Sequence, residues 1–286
     1  MRVGITTKYE LNDPHKYVQQ AVKYLKSKKI HVDLCDKACR LAPNVKPSIN
    51  FSEKYDLIMV FGGDGTLLRT LQSMKNFETP VLPMNMGRLG FYSEVLGRKY
   101  KEAIDRIVKG DYLIDSRMML RCTVIRGRKK VFSKRSFNEL TIARDALARM
   151  VSLRTTVDDL KLTTYVADGL IISTPSGSTA YSLSSGGPIV SPNIECYILT
   201  PISPHSFTQK PIILPPKSKT RIHIPTSEHR VFLTIDGQIG FHLKDSDVIK
   251  IKKSGMVLKL VRFHKNSYFQ TLRKKLHWGS DLAGRT

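Results

Sequence analysis

The stretch VFGGDGTLL, residues 60–68, lies where an apolar run ends in a loop that is almost bare of side chains. The run Asp56–Phe61 predicts a buried strand, and Thr66–Met74 predicts a helix directly after the loop. Glycines let backbone N–H groups approach a phosphate without a Cβ in the way, and the helix start adds its positive end. The stretch therefore predicts an anion cradle at the carboxyl edge of a parallel sheet, where ligands of open α/β sheets bind.

Asp64 is the one charged side chain in this loop. A carboxylate beside bound phosphates would be repelled unless a metal ion or a reacting hydroxyl lay between them. Asp64 is therefore a candidate general base or a candidate partner of Mg²⁺. The alternative is that Asp64 only caps the helix within a Gly-Asp-Gly turn.

Short apolar runs alternate with helical patterns on both sides of this loop, which is typical of βαβ units around a parallel sheet. The pattern predicts an α/β domain over residues 1–112. Its predicted strands are Arg2–Thr6, His31–Cys35, Asp56–Phe61 and Val81–Met84, and its predicted helices are Pro14–Lys28, Thr66–Met74 and Tyr100–Lys109.

The pattern changes after about Asp115 to many short β-branched or alternating runs, which predicts an all-β domain over residues 113–264. Only one brief helix is expected there, around Ser178–Ser184. The amphipathic tail YFQTLRKKLHWG, residues 268–279, is expected to bring residues 265–286 back onto the first domain. The predicted strands of the second domain are Met118–Ile125, Phe137–Ala143, Met150–Thr155, Gly169–Ser173, Tyr197–Thr200, Arg221–Ile224, Val231–Ile235, Val248–Ile251 and Val257–Phe263.

A second polar constellation is ADGLIISTPSGSTAYSLSSGGPI, residues 167–189, which includes Asp168. Its hydroxyls and backbone N–H groups could wrap a sugar or a phosphate, and the alternative is a plain Ser-rich surface loop. The pair Asn138-Glu139 lies inside an apparent strand, and buried polar residues need partners. A ligand is one such partner, and a turn or strand edge is the other explanation. The crowded hydroxyl residues are Ser173, Thr174, Ser176, Ser178 and Thr179.

The formal net charge of +23 comes from 47 Lys and Arg against 24 Asp and Glu, and its positive field favours an anionic partner. A basic composition alone also suits a protein of a salty or RNA-rich cell. The cluster Arg126–Lys130 is either a solvated hairpin tip or a nucleic-acid contact, and it lacks the interleaved aromatic residues that single-strand binders use.

The four cysteines are too few and too scattered for a disulfide framework, and no Cys/His spacing predicts a zinc site. The first residues lack the apolar stretch of a signal peptide, and no apolar run approaches the ~20 residues that span a bilayer. We therefore expect a soluble cytoplasmic protein with reduced thiols and no membrane partner.

Taken in order along the chain, these segments resemble the NAD kinase family. The glycine loop is shared with diacylglycerol and sphingosine kinases, whereas the long Ser/Thr loop ending in Ala180-Tyr181 is more specific. The resemblance implies a Rossmann-like N-terminal α/β domain and a sandwich-like C-terminal β domain, with the site in the cleft between them. The residues that carry it are Gly62–Thr66, Leu89–Phe91, Asn138-Glu139, Asp168-Gly169, Thr174–Tyr181, Gly186–Pro188, TPISPHS at 200–206 and Asp236–Gln238.

The resemblance implies phosphorylation of the 2′-hydroxyl of the adenosine ribose of NAD, with ATP as donor and Mg²⁺ or another divalent cation as cofactor. Asp64 matches the catalytic aspartate, and no residue is assigned as a direct metal ligand. The implied NAD contacts are Asp64, Gly65, Phe91, Asn138, Glu139, Asp168, Thr179, Ala180, Tyr181, Ser184 and Gln238. The phosphates of ATP are expected at Gly62, Gly63, Gly65, Thr66, Ser176, Gly177 and Ser178.

Family members are typically homodimers or homotetramers in which a neighbouring subunit reaches into the site, and we expect the segment Ile235–Gln238 to make that reach. Val166 stands where the family is expected to have glycine or arginine, which bears on the choice between NAD and NADH. We assign His205 and His264 to structure or substrate positioning, since this type of kinase needs no histidine.

Two other functions compete with this one. The shared glycine loop and the basic surface suit a lipid kinase of the diacylglycerol type, but no segment makes a strong amphipathic entrance for a lipid. The charge suits a non-catalytic NAD sensor or an RNA binder, whose binding would depend steeply on salt.

Overall fold

The computed structural model describes residues 1–7, 15–35, 48–87, 90–145, 150–224, 230–264 and 267–277. The chain divides into two units, Met1–Ser116 with Leu258–Thr286, and Arg117–Val257. It passes from one unit to the other inside two long strands, Leu113–Arg126 and Val248–Arg262. The first unit is therefore built from both ends of the chain.

The first unit contains a parallel sheet, as predicted. Its strands are β1 Arg2–Thr7, β2 His31–Leu34, β3 Leu57–Phe61, β4 Val81–Asn85 and β5 Val95–Leu96, in the order β2–β1–β3–β4–β5. Leu260 of the last strand also pairs in parallel with Val81. Every residue of β3 is buried, which explains its unbroken apolar run. Because the strands are parallel, Thr7, Phe61 and Asn85 end at one edge of the sheet.

Three helices follow these strands: α1 His15–Ser27, α2 Asp64–Ser73 and α3 Tyr100–Val108. Helix α2 begins at Asp64, not at the predicted Thr66, because Gly63 is its N-cap. A further helix, Ser267–Leu276, belongs to the first unit, as expected for the tail. Leu272 on that helix is buried, but Phe269 is 62% exposed, and Trp278 lies outside the described residues.

The second unit is a two-sheet β structure, which confirms the sandwich-like prediction. One sheet has the order β13–β12–β11–β8–β15–β16 and is antiparallel throughout. The other contains β10–β9–β14 and the first part of β17, with β6 and β7 as a hairpin. These strands are β6 Leu113–Arg126, β7 Lys129–Ser136, β8 Glu139–Arg144, β9 Val151–Val157, β10 Leu160–Ala167, β11 Gly169–Ser173, β12 Tyr197–Ile202, β13 Ile212–Leu214, β14 Thr220–His223, β15 Val231–Ile235, β16 Ile239–Leu243 and β17 Val248–Arg262.

The core of this unit draws on both sheets. Leu153 and Ile222 from one sheet pack in the same cluster as Leu140, Ile172 and Leu233 from the other, and all five are fully buried. Two inner apolar faces are thus closed against each other, as in other sandwiches.

Several sequence-based element predictions are wrong in the second unit. Strands β7, β10, β13 and β16 were not predicted, because their polar or short apolar stretches are only partly buried. The predicted strands Val248–Ile251 and Val257–Phe263 form one strand, β17, which continues through Ser254-Gly255. The predicted helix at Ser178–Ser184 is split into a 3₁₀ turn, Ser176–Thr179, and one α-turn, Tyr181–Ser184.

The cluster Arg126–Lys130 is the predicted hairpin tip. Strand β6 ends at Arg126, β7 begins at Lys129, and Gly127 has a φ of +60° in the turn between them. Among the described residues, no helix is long and apolar enough to cross a membrane.

Candidate functional site

The loop after β3, residues 62–65, is called here the glycine loop. A Cβ on Gly62 would lie 2.3 Å from Thr66 Oγ1, so glycine is needed there for packing against the helix. Gly63 and Gly65 are different, because a Cβ on either would meet no described residue within 4 Å and both glycines are exposed. The first turn of a helix leaves N–H groups without intrahelical partners, and Gly63 and Gly65 lie at the start of this helix. The loop can accept an anion at its two open glycines.

Asp64 is the first residue of α2, but it does not cap the helix. The N-cap is Gly63, and no side chain makes the cap hydrogen bond. The Asp64 carboxylate instead accepts the backbone N–H of Phe91 at 2.9 Å and, more weakly, that of Tyr92 at 3.4 Å. A Cβ on Gly90 would lie 2.2 Å from Asp64 Oδ1, so the carboxylate rests directly on this glycine. The helix-capping alternative is thereby wrong, and the carboxylate has a fixed orientation.

The segment that holds Asp64 is itself held from two sides. Gly90 donates its N–H to Ser93 Oγ at 3.2 Å, and Asn85 at the end of β4 donates to the same oxygen at 3.3 Å. Arg262, at the end of β17, donates from Nη1 to the carbonyl of Tyr92 at 2.9 Å and pairs with Glu94. Arg262 is only 7% exposed. The carboxylate of Asp64 is thus positioned through a backbone segment that a buried arginine fixes.

In the second unit, Asp236 organises the start of β8. Its buried carboxylate accepts the backbone N–H groups of Phe137, Asn138 and Glu139 and the hydroxyl of Ser136 at 2.8 Å. Asp236 has a φ of +51° in the turn between β15 and β16, a conformation that aspartate tolerates better than most residues. The Asp236-Gly237-Gln238 stretch therefore fixes Asn138-Glu139, and only its tip, Gly237 and Gln238, is exposed.

Glu139 is buried without a partner for one of its oxygens. Glu139 is 8% exposed, and its Oε2 has no hydrogen-bond partner among the described residues. Burial, with the nearby Asp236 carboxylate as the second cause, raises the pKa of Glu139 to about 8. Ser173, directly opposite Glu139 in the β8–β11 register, has a buried hydroxyl that is also unpaired. Two orphaned polar groups side by side are typical of a site that a ligand completes.

The Ser/Thr loop is docked on this strand start and is not a surface loop, since Ser173–Ser178 are all buried. Thr174 donates its hydroxyl to the carbonyl of Phe137 at 2.6 Å and accepts the N–H of Gly177 at 3.1 Å. A Cβ on Gly177 would lie 2.1 Å from the carbonyl oxygen of Asn138. Ser178 donates to the carbonyl of Pro175 at 2.7 Å and accepts the N–H of Val190 at 3.0 Å. Much of this hydroxyl set is thus used inside the fold.

Asp168 lies at the opposite end of β11 from Ser173. In the strand register Gly169 is opposite Ala143 while Ser173 is opposite Glu139. At about 3.3 Å per residue, roughly 16 Å of strand separates Asp168 from the Glu139 position. Arg144 donates from Nε to Asp168 Oδ1 at 2.7 Å and fixes that carboxylate at its own end of the sheet.

The structure therefore gathers the predicted site residues into two groups. Gly62, Gly63, Asp64, Gly65, Thr66 and Phe91 lie together at the carboxyl edge of the first unit, and Asn138, Glu139, Ser176, Gly177 and Ser178 lie together in the second. Thr179 and Ala180 are half-buried, Tyr181, Ser184 and Gln238 are exposed, and Asp168 stands apart. Leu89 lies outside the described residues.

Clusters of metal-binding side chains and the two histidines singled out in the sequence were compared with the part of the chain that the structure covers. It contains no group of three or more His, Cys, Asp or Glu side chains that could hold a metal ion. His205 and His264 are both exposed.

Sequence reasoning missed the residues that position the predicted ones. Arg144 and Arg262 end strands and carry no motif, and the role of Asp236 as an anchor differs from the subunit contact expected of its segment. The distance along the chain explains this, since Arg262 and Tyr92 are 170 residues apart. Gly90-Phe91 was found only as part of the family motif.

Both halves of the sequence match family models. Residues 8–112 match the ATP-NAD kinase N-terminal domain, and residues 137–263 match the ATP-NAD kinase C-terminal domain. A protein of Geotalea daltonii called NAD kinase is 43% identical over 79% of this chain and 80% of its own length. A NAD kinase of Syntrophotalea carbinolica is 35% identical over 97% of this chain and 99% of its own length.

Solved structures give the same answer at the level of the fold. Yeast NADH kinase in complex with NADH superposes with a TM-score of 0.90 at 26% identity, over 98% of this chain and 88% of that one. A NAD kinase from Archaeoglobus fulgidus in complex with ATP gives 0.74 at 26% identity, over 97% of this chain and 99% of that one.

Proposed function

This chain belongs to the NAD kinase family, and from that premise we propose that Asp64 takes the proton from the substrate hydroxyl as it attacks the terminal phosphoryl group of ATP. The enzyme is a phosphotransferase that phosphorylates the 2′-hydroxyl of the adenosine ribose of NAD, with NADP and ADP as products. The match of both halves of the chain to this family sets aside the lipid kinase, which shares only the glycine loop.

One observation carries the assignment of Asp64. Its carboxylate is fixed by the N–H groups of Phe91 and Tyr92 at the head of α2, next to two glycines with open space around them. Phosphoryl transfer requires mainly positioning and charge neutralisation, with no covalent intermediate on the protein. A carboxylate has about four lone-pair sites, so acceptor positions remain after the two backbone hydrogen bonds. Asp64 can therefore accept a hydroxyl proton without losing its orientation.

The glycine loop is proposed to bind the phosphates of ATP. The open faces of Gly63 and Gly65 allow close approach of a phosphate to the backbone, and the start of α2 contributes its partial positive charge. Gly62 and Thr66 support the loop by packing against each other. Ser176, Gly177 and Ser178 remain proposed phosphate contacts, although the two serine hydroxyls and the Gly177 N–H already have hydrogen-bond partners inside the second unit.

A divalent cation suits phosphoryl transfer, and the described residues offer few protein ligands for one. Mg²⁺ is usually held by one or two carboxylates together with substrate phosphates and water. The described residues offer no cluster that would form a complete protein cage, and Asp64 is already proposed as the base. We therefore propose that the substrate phosphates and water would hold a Mg²⁺ ion, which would neutralise charge on the transferred group, and we assign it no direct ligand on this chain.

Recognition of NAD is proposed to rest on the second group of residues. Because its pKa is about 8, the Glu139 carboxyl keeps its proton at neutral pH and can donate as well as accept a hydrogen bond. Asn138 is fixed next to it by Asp236. Gly65, Phe91, Asp168, Thr179, Ala180, Tyr181, Ser184 and Gln238 remain proposed contacts.

A homo-oligomer, either dimer or tetramer, also remains a proposal. Ile235 and Asp236 are buried, so a reach into a neighbouring site would use only the turn tip, Gly237 and Gln238. The separation of Asp168 from Glu139 along β11 is compatible with two subunits sharing one substrate. Light scattering after size-exclusion chromatography would give the mass, and a monomer with full activity would overturn the proposal.

Asp64→Asn tests the catalytic assignment. Loss of a general base lowers turnover by about 10²–10⁴-fold, so we expect that loss in a coupled assay of NADP formation. The asparagine amide would turn a donor toward one of the two N–H groups, and the weaker Tyr92 contact is the one that should be lost. NAD binding, measured by calorimetry, should therefore stay within a few-fold of wild type while turnover collapses.

Asp111→Asn is the matched control. Asp111 is an exposed aspartate of the same unit whose carboxylate pairs with Arg106, so its loss changes charge by the same amount away from the glycine loop. The control should keep wild-type turnover. If Asp64→Asn keeps near wild-type turnover, Asp64 is not the base.

A further inference from the structure

A cavity on the second unit carries five cationic side chains and no acidic one. Its volume is about 290 Å³, and its lining includes Arg121, Lys219, Arg221, Lys250 and Lys252. The remaining lining residues are Thr123, Thr220 and Ile251. We call it the basic cavity. None of its residues belongs to the glycine loop, the Ser/Thr loop or the proposed NAD contacts.

The strands β14 and β17 present these charges on one face. Ile249 and Ile251 are buried in the core, while the alternating residues Lys250 and Lys252 are exposed. On β14 the same alternation buries Ile222 and leaves Arg221 partly exposed. Strand periodicity therefore aligns the cations on the face opposite the core.

The strand registers place like charges directly opposite each other. Arg221 is opposite Lys250 in the antiparallel β14–β17 pair, and Arg121 is opposite Arg135 in the β6–β7 pair. Like charges at such positions destabilise a sheet. Arg121 is also near enough to lower the pKa of Arg135, after burial as the main cause. A bound anion would relieve this repulsion.

Acidic side chains neutralise only part of the charge. Asp159 forms an ion pair with Arg221, and Asp158 lies close to Lys219. Within the described ranges, Arg121, Lys250 and Lys252 form no ion pair with an acidic residue. The cavity thus keeps a net positive charge after its neighbours are counted.

We propose that the basic cavity binds a small polyanion, a chain of two or three phosphoryl groups, at a site separate from the catalytic one. Ligand pockets usually have volumes of roughly 300–1,000 Å³, so this cavity suits a phosphate chain better than a whole dinucleotide. Arginine can bind phosphate oxygens in a bidentate manner, and lysine adds point charge.

The test is calorimetric titration of the full chain with inorganic tripolyphosphate. Lys250→Gln combined with Lys252→Gln should weaken the class of tripolyphosphate binding that belongs to this site at least ~10-fold. Any binding at the glycine loop would remain in the variant. Turnover at saturating NAD and ATP should be unchanged, so this test is independent of the catalytic assignment.

Lys129→Gln combined with Lys130→Gln is the matched control. Both lysines are exposed at the hairpin tip of the same unit, and the change in net charge is identical. This control should bind tripolyphosphate as wild type does. Equal weakening in both double variants would show a general field effect and would overturn the site.

Titration with ATP and with AMP separates the two sources of the phosphate chain. A class of ATP binding that disappears in the Lys250/Lys252 variant, with no such class for AMP, would extend the site to nucleotides. If tripolyphosphate binds at the basic cavity but no such class of ATP binding is found, the site belongs to free phosphate chains. The proposal is wrong if no tripolyphosphate binds. It is also wrong if only single-stranded RNA binds tightly and the Lys250/Lys252 variant abolishes that binding.

Discussion

Glu139 combines burial, a missing hydrogen-bond partner and a neighbouring carboxylate. Each of these disfavours the ionised form, and the pKa rises to about 8 from the usual 4.5. Burial raises the pKa of Asp236 as well, but three backbone N–H groups and a hydroxyl act against that rise, so the two carboxylates have unequal surroundings. The cost of keeping Glu139 buried should appear in the stability of the free enzyme.

Glu139→Gln should remove a pH-dependent loss of stability. The folded state retains a proton between about pH 4.5 and 8 that the unfolded state releases, so the free energy of unfolding falls as pH rises through this window. Glutamine has no such penalty. In urea unfolding, the free energy of unfolding of the variant relative to wild type should be on the order of 3 kcal/mol higher at pH 8.5 than at pH 5.

Glu102→Gln serves as the control, since Glu102 is exposed on α3. Its stability difference from wild type should be the same at both pH values. A difference for Glu139→Gln that also stays constant with pH would contradict the burial argument.

At the scale of the element, the glycines of the glycine loop and Gly90, which contacts Asp64, meet different physical demands. Gly62 and Gly90 are glycine because a Cβ would collide with Thr66 or with the Asp64 carboxylate. Gly65 is inside α2 with open space beside it, where alanine is compatible with the fold. Glycine is less favourable than alanine in a helix by roughly 0.5–1 kcal/mol, so Gly65 is kept at a cost to stability.

Gly65→Ala should therefore separate stability from activity. We expect the free energy of unfolding to stay the same or rise by up to about 1 kcal/mol, because helix propensity improves. We expect kcat/KM for ATP to fall at least ~10-fold, because the new methyl group occupies space proposed for a phosphate. Thermal unfolding and steady-state kinetics on the same preparation measure both effects.

Gly255→Ala is the matched control, since Gly255 in β17 is also exposed with nothing within 4 Å of a Cβ. It should keep full activity. Unchanged kinetics in Gly65→Ala would place the phosphates elsewhere.

The elements of the first unit could be predicted from the sequence better than those of the second. Strand β3, Leu57–Phe61, is buried on both faces, and α3 is buried on one face. Both kinds of burial produce a pattern of apolar residues that can be recognised in the sequence. Strand β7, KKVFSKRS, is held by its pairing with β6, and Ser136 is its only buried residue. Its apolar pattern is therefore too weak to predict a strand.

The part of the candidate site that could be predicted is the part whose functional residues are neighbours along the chain. Asp64 follows a buried strand directly, and its loop could be recognised from local sequence. The N–H groups that orient it come from Phe91 and Tyr92, 27 and 28 residues away, and the Arg262 guanidinium that holds Tyr92 lies a further 170 residues along the chain. A backbone donor leaves no mark on residue type, so local sequence could not predict these contacts.

At the scale of the whole molecule, the charge of +23 should act on both anionic substrates. Such a field raises the rate of encounter and the local concentration of anions, and salt screens it over about 10 Å at 0.1 M. We expect kcat/KM for NAD to fall by about 10-fold between low salt and ~0.5 M KCl. The value of kcat at saturating substrate should change far less.

A kcat that falls in parallel with kcat/KM would point to loss of structure and not to screening. Circular dichroism across the same salt range distinguishes the two, because screening leaves the fold intact.

The first unit needs strand residues from near the end of the chain: Leu260 pairs with Val81, and Val261 and Phe263 pack in its core. During synthesis the ribosome releases the glycine loop long before these residues exist. The N-terminal part of the nascent chain therefore lacks the strand partner of Val81 until the intervening β structure has been synthesised. Completion of this sheet is in this way tied to synthesis of the strand that runs through Phe263. A chain terminated before Leu260 would lack both the residue that pairs with Val81 and the Arg262 guanidinium that donates to the Tyr92 carbonyl.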